Sequence, residues 1–136
     1  MRAVVVTRTG GPEVLELQER PDPEAGPGQV LVDVEAAGVN FIDVYQREGR
    51  YPLEPPFIAG TEAAGVVRAV GDGVTDVAVG DRVAWAMVNG TGYVSVAAVP
   101  ADRVVPVPDG VTTEQAAAVL LQGMTAHYLC ESTYAV

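Results

Sequence analysis

Short runs of apolar residues, interleaved with polar ones and broken by glycine, proline and asparagine, fill most of this chain. A period of two with such punctuation predicts strands. Arg2 to Thr7 and Val14 to Glu19 flank the sequence Thr9-Gly10-Gly11-Pro12, a hairpin-like opening. Pro21 to Pro23 and Gly26 to Gly28 then form a loop before a strand over Val30 to Ala37. In that strand Val30, Val32 and Val34 alternate with Leu31, Asp33 and Glu35, so one face is expected to be buried. Glu62 to Val70 predicts a further strand, and Gly65 inside it invites a bulge or a close backbone approach. Val79 to Ala86, Tyr93 to Ala98 and Arg103 to Pro106 supply the remaining strands, with Asn89 and Gly90 as a turn. So many short strands suggest a barrel more than a helical bundle.

Two segments depart from that period. Asn40 to about Glu48 reads as a helix, with Asn40 as N-cap, Asp43 favouring the positive helix end and Gly49 just past the finish. A second helix begins near Thr112, where Thr112 and Gln115 form a capping box, and continues through the apolar run Ala116 to Leu121. It is expected to break at Gly123 and to resume over Thr125 to Glu131. No internal repeat or low-complexity segment is present.

Composition narrows the class. With 136 residues, 49% hydrophobic and 19% charged, the chain has the profile of one globular domain with a real core. No apolar run approaches the ~20 residues that cross a bilayer, and the start Met1 to Thr7 lacks the layout of a signal peptide. A cytoplasmic location is expected, and a single cysteine agrees with a reducing compartment. A formal charge of −10 disfavours nucleic acid and anionic membrane as partners, since both need a basic surface. It also fits poorly with an unaided site for a polyanionic cofactor.

The stretch Gly38-Val39-Asn40-Phe41-Ile42-Asp43, then Gly60-Thr61-Glu62-Ala63-Ala64-Gly65 and Val79-Gly80-Asp81-Arg82-Val83, resembles the medium-chain dehydrogenase/reductase superfamily. Within it the chain is similar to the zinc-independent quinone oxidoreductase branch that includes the zeta-crystallins. Where the zinc alcohol dehydrogenases of that superfamily carry a cysteine, Asn40 stands here, and where they carry Gly-His-Glu, Gly60, Thr61 and Glu62 stand. Catalytic zinc needs about three ligands drawn from Cys, His, Asp and Glu, a set that Asn40 and Thr61 cannot supply. The one histidine, His127, and the one cysteine, Cys130, could share a helix face, but two ligands make no site. No metal is expected.

The resemblance implies a mainly β fold with a few helices, a GroES-like partly open barrel over residues 1–120. It further implies that residues 121–136 begin an inter-domain helix leading to an absent nucleotide-binding domain. Gly10-Gly11, Gly26 to Gly28 and Gly71 to Gly73 lack the strand, G-x-G-x-x-G turn and helix of a dinucleotide fold. The pyrophosphate cradle is therefore expected outside these residues, the chain being the N-terminal catalytic part of a longer enzyme. By the same resemblance that enzyme uses NADPH to reduce a quinone or another small electrophilic acceptor, and the parent is a homodimer. Two other readings stay open: a half of an enoyl or alkenal reductase, and a non-enzymatic GroES-like association domain.

The residues expected to meet cofactor and acceptor follow from the resemblance. Asn40 takes the place of the lost zinc ligand, where its amide could bond a nicotinamide carboxamide or a quinone oxygen; equally, it could serve only as the helix cap. Tyr45 and Tyr51 resemble the tyrosines lining the acceptor pocket of quinone oxidoreductases, or form an aromatic lid beside Pro52, Pro55 and Pro56. Phe41, Thr61, Thr125 and Tyr128 complete the cofactor side, Thr125 having the alternative of bonding back to the carbonyl four residues before it. Asp43 is expected to be structural, as helix-end charge and as a partner for an arginine. A buried Glu62 has to be paired or protonated, and Asp81 with Arg82 belongs to a turn.

Overall fold

The structure, a computed structural model, describes residues 1–134. Eight strands and two helices follow one another along the chain: β1 (Arg2–Val6), β2 (Leu15–Glu19), β3 (Gln29–Gly38), α1 (Phe41–Arg47), β4 (Phe57–Ile58), β5 (Glu62–Val70), β6 (Arg82–Trp85), β7 (Val96–Pro100), β8 (Val104–Pro106) and α2 (Thr113–His127). They form a three-stranded sheet in the order β2-β1-β4 and a five-stranded sheet in the order β7-β3-β5-β6-β8. The named pairings are antiparallel.

The two sheets meet along β1 without closing. An isolated bridge pairs Ala3 with Val94, the Val4 N–H donates to the Tyr93 carbonyl at 2.9 Å, and the Ser95 N–H donates to the Arg2 carbonyl at 2.9 Å. Between them lies the main core, built from Val5, Val30, Val32, Val67, Val83, Trp85 and Val99 with their neighbours. Trp85 is fully buried, and its indole N–H donates to Thr91 Oγ1 at 2.8 Å, so its one polar atom is satisfied. The expected partly open, mainly β architecture is present.

Long strands are bent to fit. β3 and β5 shift register between Leu31 and Val32 and again between Val34 and Ala36. A side chain at Gly65 would run into the Asp33 carbonyl, which is the close approach expected there. Val30 and Val32 are buried as alternation predicts, but so is Leu31, so this end of β3 is covered on both faces. Other strand ends move by a few residues. Val79 to Asp81 forms a turn, where Asp81 Oδ2 accepts the Ala78 N–H at 2.8 Å, and β6 starts only at Arg82. Tyr93 to Ser95 makes the sheet-to-sheet crossing, and β7 starts at Val96. Pro12–Val14 is a 3-10 turn, and the two-residue β4 has no period to read.

The capping box of α2 is as expected: the Gln115 N–H donates to Thr112 Oγ1 at 3.2 Å, and Gln115 Oε1 accepts the Thr112 N–H at 3.0 Å. Ala116 and Ala117 are buried against Ala64, Ala84 and Val107, which lets the helix lie close on β5 and β6. The expected break at Gly123 does not occur. α2 runs on to His127 and continues as a π-helical segment, Tyr128–Thr133. One glycine costs a helix about 1 kcal/mol, less than the ladder formed by the Ala, Leu, Gln and Met residues around it. The helix thus passes residue 120 uninterrupted; its packed part ends at Leu121, and Gln122 to Tyr134 are exposed.

Candidate active site

The site grows from a junction of three chain segments: the end of β3 with the start of α1, the start of β5, and the middle of α2. Asn40 precedes α1 in an extended conformation, φ −126° and ψ 152°. Its backbone N–H donates to Asp43 Oδ2 at 2.9 Å, which anchors the first turn of the helix. Its carboxamide bridges the other two segments. Asn40 Nδ2 donates to Glu62 Oε2 at 2.7 Å, and Asn40 Oδ1 accepts from Gln122 Nε2 at 2.9 Å. The other carboxylate oxygen, Glu62 Oε1, accepts the backbone N–H of Leu121 at 2.7 Å. Glu62 is wholly buried, so these two donors replace the water it has given up.

A second carboxylate lies behind the first turn of α1. Asp43, 8% exposed, accepts the Tyr93 hydroxyl at 2.7 Å and a long bond from Thr61 Oγ1 at 3.5 Å, besides the Asn40 N–H. Its partners are therefore a phenol, a hydroxyl and an amide; the arginine expected for it is absent. Arg47 donates instead to the Gly10 carbonyl at 3.1 Å and lies 3.6 Å from Glu48. Burial, reinforced by the hydrogen bond to Asp43 and by the charges of Asp43 and Glu62, pushes the Tyr93 phenol well above its ordinary pKa.

In front of the junction opens a cleft of about 510 Å³ lined by Asn40, Phe41, Ile42, Met87, Leu121, Gln122, Thr125, Ala126 and Leu129. Its walls are apolar apart from the two amides and one hydroxyl, and no lining residue is basic. Met87 holds φ 62°, a left-handed conformation that costs a non-glycine residue of order 1 kcal/mol and recurs at functional sites. Phe41 connects the cleft to an aromatic group: its ring lies 6.2 Å from Tyr45, which meets Tyr51 edge-on at 5.6 Å, with the Arg50 guanidinium 5.6 Å from the Tyr45 ring centre.

Of the residues expected from sequence, Asn40, Phe41 and Thr125 come together in the cleft, and Tyr45 and Tyr51 stand beside it through Phe41. Thr61 does not reach the cleft; it is 1% exposed and faces Asp43. Tyr128 is exposed and lies outside the lining. The Thr125 hydroxyl donates to the Leu121 carbonyl at 2.8 Å, the local alternative considered for it, while still lining the cleft. Leu121, Gln122, Ala126 and Leu129 were missed, although their spacing with Thr125 is that of one helix face. Met87 gives no sequence signal, because nothing in a methionine announces a positive φ. Among the described residues no three His, Cys, Asp or Glu side chains are grouped to hold a metal ion, and no helix is long and apolar enough to cross a membrane.

Residues 26–109 match the alcohol dehydrogenase GroES-like domain. The chain belongs to this family. The GroES-like match takes in Asn40, Glu62 and Met87 but stops short of the α2 wall of the cleft. A quinone oxidoreductase of Salmonella typhimurium is 47% identical over 130 residues, which cover 93% of this chain and 39% of that protein. A 2-haloacrylate reductase of a Burkholderia species is 40% identical over 140 residues, covering 98% of this chain and 42% of that protein. The structure of Escherichia coli quinone oxidoreductase complexed with NADPH superimposes with a TM-score of 0.94 at 38% identity, covering 100% of this GroES-like chain and 42% of its own. The chain thus spans about two fifths of the length of these relatives.

Proposed function

We propose that this GroES-like domain is the acceptor-binding part of an NADPH-dependent quinone oxidoreductase that works without zinc. The observation carrying this reading is the cleft itself: apolar walls, two amides in its lining and an aromatic group at its edge. Such a lining suits a flat ring bearing a carboxamide or carbonyl, which both a nicotinamide and a quinone present. The similarity to quinone oxidoreductases, one of them complexed with NADPH, supports it.

The donor set does not suit zinc. Glu62 is committed to Asn40 and Leu121, Asp43 to Tyr93, Thr61 and the Asn40 backbone, and neither sulfur nor imidazole lines the cleft as a thiolate or histidine ligand. That Asn40, Phe41 and Thr125 share the cleft lining supports a role for them in holding the nicotinamide end of NADPH. Thr61 is too deep for contact, and Tyr128 would join only from outside the cleft wall. The lining holds no basic residue and the sequence no G-x-G-x-x-G turn between strand and helix, which supports a pyrophosphate cradle outside these residues. NADPH supplies the hydride. The chain's own residues then orient the acceptor and stabilise the charge developing on its oxygen. Phe41, Tyr45 and Tyr51 offer ring faces for stacking. Asn40 and the Tyr51 hydroxyl offer donors, and Tyr51, 55% exposed, is free to approach a substrate.

The 2-haloacrylate reductase relative favours a second reading, in which the acceptor is an activated alkene. One experiment tests both. The reading frame is followed past Val136, and the full product is assayed for NADPH oxidation with a benzoquinone and with an α,β-unsaturated acid or thioester, before and after chelation. Turnover with the quinone that survives chelation is the expected result. Turnover with the alkene alone selects the second reading, and turnover lost on chelation overturns the zinc-free mechanism. A stop codon directly after Val136, with no turnover, leaves association as the domain's role.

A further inference from the structure

We propose that Glu62 is a positioning residue: it fixes which way the Asn40 carboxamide points at the cleft and ties that orientation to the seating of α2. An asparagine amide has two faces of similar shape and opposite polarity, and rotating it by half a turn exchanges donor for acceptor. Its direction must be imposed by neighbours. Both Glu62 oxygens accept, one from the Leu121 N–H and one from Asn40 at 2.7 Å, so the Asn40 atom facing it is Nδ2. Asn40 Oδ1 is then turned to Gln122 at 2.9 Å, and Gln122 has to present its own N–H. The chain of amides therefore has one polarity, set at its buried end. What remains to the cleft on Asn40 is one N–H on the nitrogen.

The same carboxylate reads the position of α2. Its second oxygen takes the Leu121 N–H at 2.7 Å, an amide that a regular helix directs along its own axis to the carbonyl four residues back. Gly38 makes this close packing feasible, because a Cβ there would meet the Glu62 carboxylate and lie 2.6 Å from the Ala117 carbonyl oxygen. Helix α2 thus cannot lift from β5 without withdrawing one Glu62 bond at Leu121 and one Asn40 bond at Gln122. No arginine, lysine or histidine is ion-paired with Glu62 among the described residues, so its partners are these neutral donors. The consequence for turnover rests on the hydride-transfer reading above; the positioning itself does not.

The test uses side-chain amide resonances of the ¹⁵N-labelled 136-residue chain. In Glu62→Gln the new amide can satisfy the Leu121 N–H with its oxygen only by turning its NH₂ toward Asn40. The Asn40 and Gln122 amides must then reverse. Both pairs of resonances are expected to move while backbone resonances remote from the junction stay in place. Gln122→Ala, at an exposed position, keeps the test open should the buried substitution unfold the chain. It should move the Asn40 pair and leave the Leu121 N–H bonded. Asn40 resonances unchanged in either variant overturn the proposal.

In the full product, the combined variant Glu62→Gln/Gln122→Glu separates positioning from packing. It restores a carboxylate partner for Asn40 with the polarity reversed, so thermal stability should recover relative to Glu62→Gln while kcat stays about tenfold or more below wild type. Recovery of kcat together with stability would show Glu62 to be a packing partner only. A wild-type product without NADPH-dependent turnover would sink the functional reading, while the amide resonances would still decide whether Glu62 orients Asn40.

Discussion

Tyr93 shows how one side chain can carry both a fold and a pH dependence. Its hydroxyl satisfies Asp43, and its backbone makes the sheet-to-sheet bond with Val4. Tyr93→Phe keeps the ring and removes the donor, leaving a buried carboxylate with an amide and a long hydroxyl bond. A loss of about 1.5 kcal/mol in urea unfolding is expected. The phenol also makes the protein sensitive to alkali. Its pKa is raised in the folded state by burial and by the neighbouring carboxylates, so from about pH 10 upward the unfolded chain releases this proton while the folded chain keeps it. Fewer protons bound to the unfolded state means that stability falls as pH rises. The contribution is complete below about pH 10 and is lost progressively toward the folded pKa. Unfolding midpoints measured from about pH 8 to about pH 11.5 should decline at the top of that range in the wild type, and less in Tyr93→Phe. Parallel curves would contradict the assignment.

At the scale of elements, α2 is seated along its first half only, so its two halves respond differently to substitution. Gly123 has open space around it, its nearest contact for an added Cβ being Val119 at 3.9 Å. Gly123→Ala should raise helicity in far-UV circular dichroism and stabilise the helix by roughly 0.5–1 kcal/mol. Gly38→Ala acts on the packed half, where the added methyl pushes against Glu62 and the Ala117 carbonyl. Hydrogen exchange at the Leu121 amide should accelerate more than that of strand amides in β1, and equal acceleration would mean global unfolding instead. These cases mark what the sequence could and could not convey. The Thr112–Gln115 box was legible because both residues belong to one turn. The Asn40 cap position and the edges of β5 were legible for the same local reason. The junction was not, because Glu62 meets Asn40 across 22 residues and Leu121 across 59, and Gln122 meets Asn40 across 82. The family resemblance suggested that Asn40 mattered; only the fold shows what holds it. A break at Gly123 follows from propensity weighed at one residue, and the cooperative ladder on either side overrides it.

Over the whole molecule, a strong net charge and a set of exposed apolar side chains act against each other. Phe41, Met87, Met124, Tyr128 and Leu129 are all exposed, at 78%, 54%, 48%, 61% and 49%. Phe41, Met87 and Leu129 line the cleft, and Met124 and Tyr128 belong to the part of the chain beyond the packed half of α2. An apolar surface of this kind favours association. The formal charge of −10 opposes it, since two copies approaching each other bring like charges together. Screening changes the balance: at 0.01 M ionic strength the Debye length is about 30 Å, and at 0.15 M about 8 Å. The 136-residue chain is therefore expected to sediment as a monomer in dilute buffer and to associate as salt is added. Met124→Glu with Leu129→Glu should abolish the association without lowering thermal stability, because both positions are exposed and lie past the seated half of the helix. Arg103→Glu, at an exposed position outside the cleft lining, adds negative charge and should only shift the onset to higher salt. Association that weakens with salt would instead indicate charge pairing between copies, and would remove the apolar side as its cause.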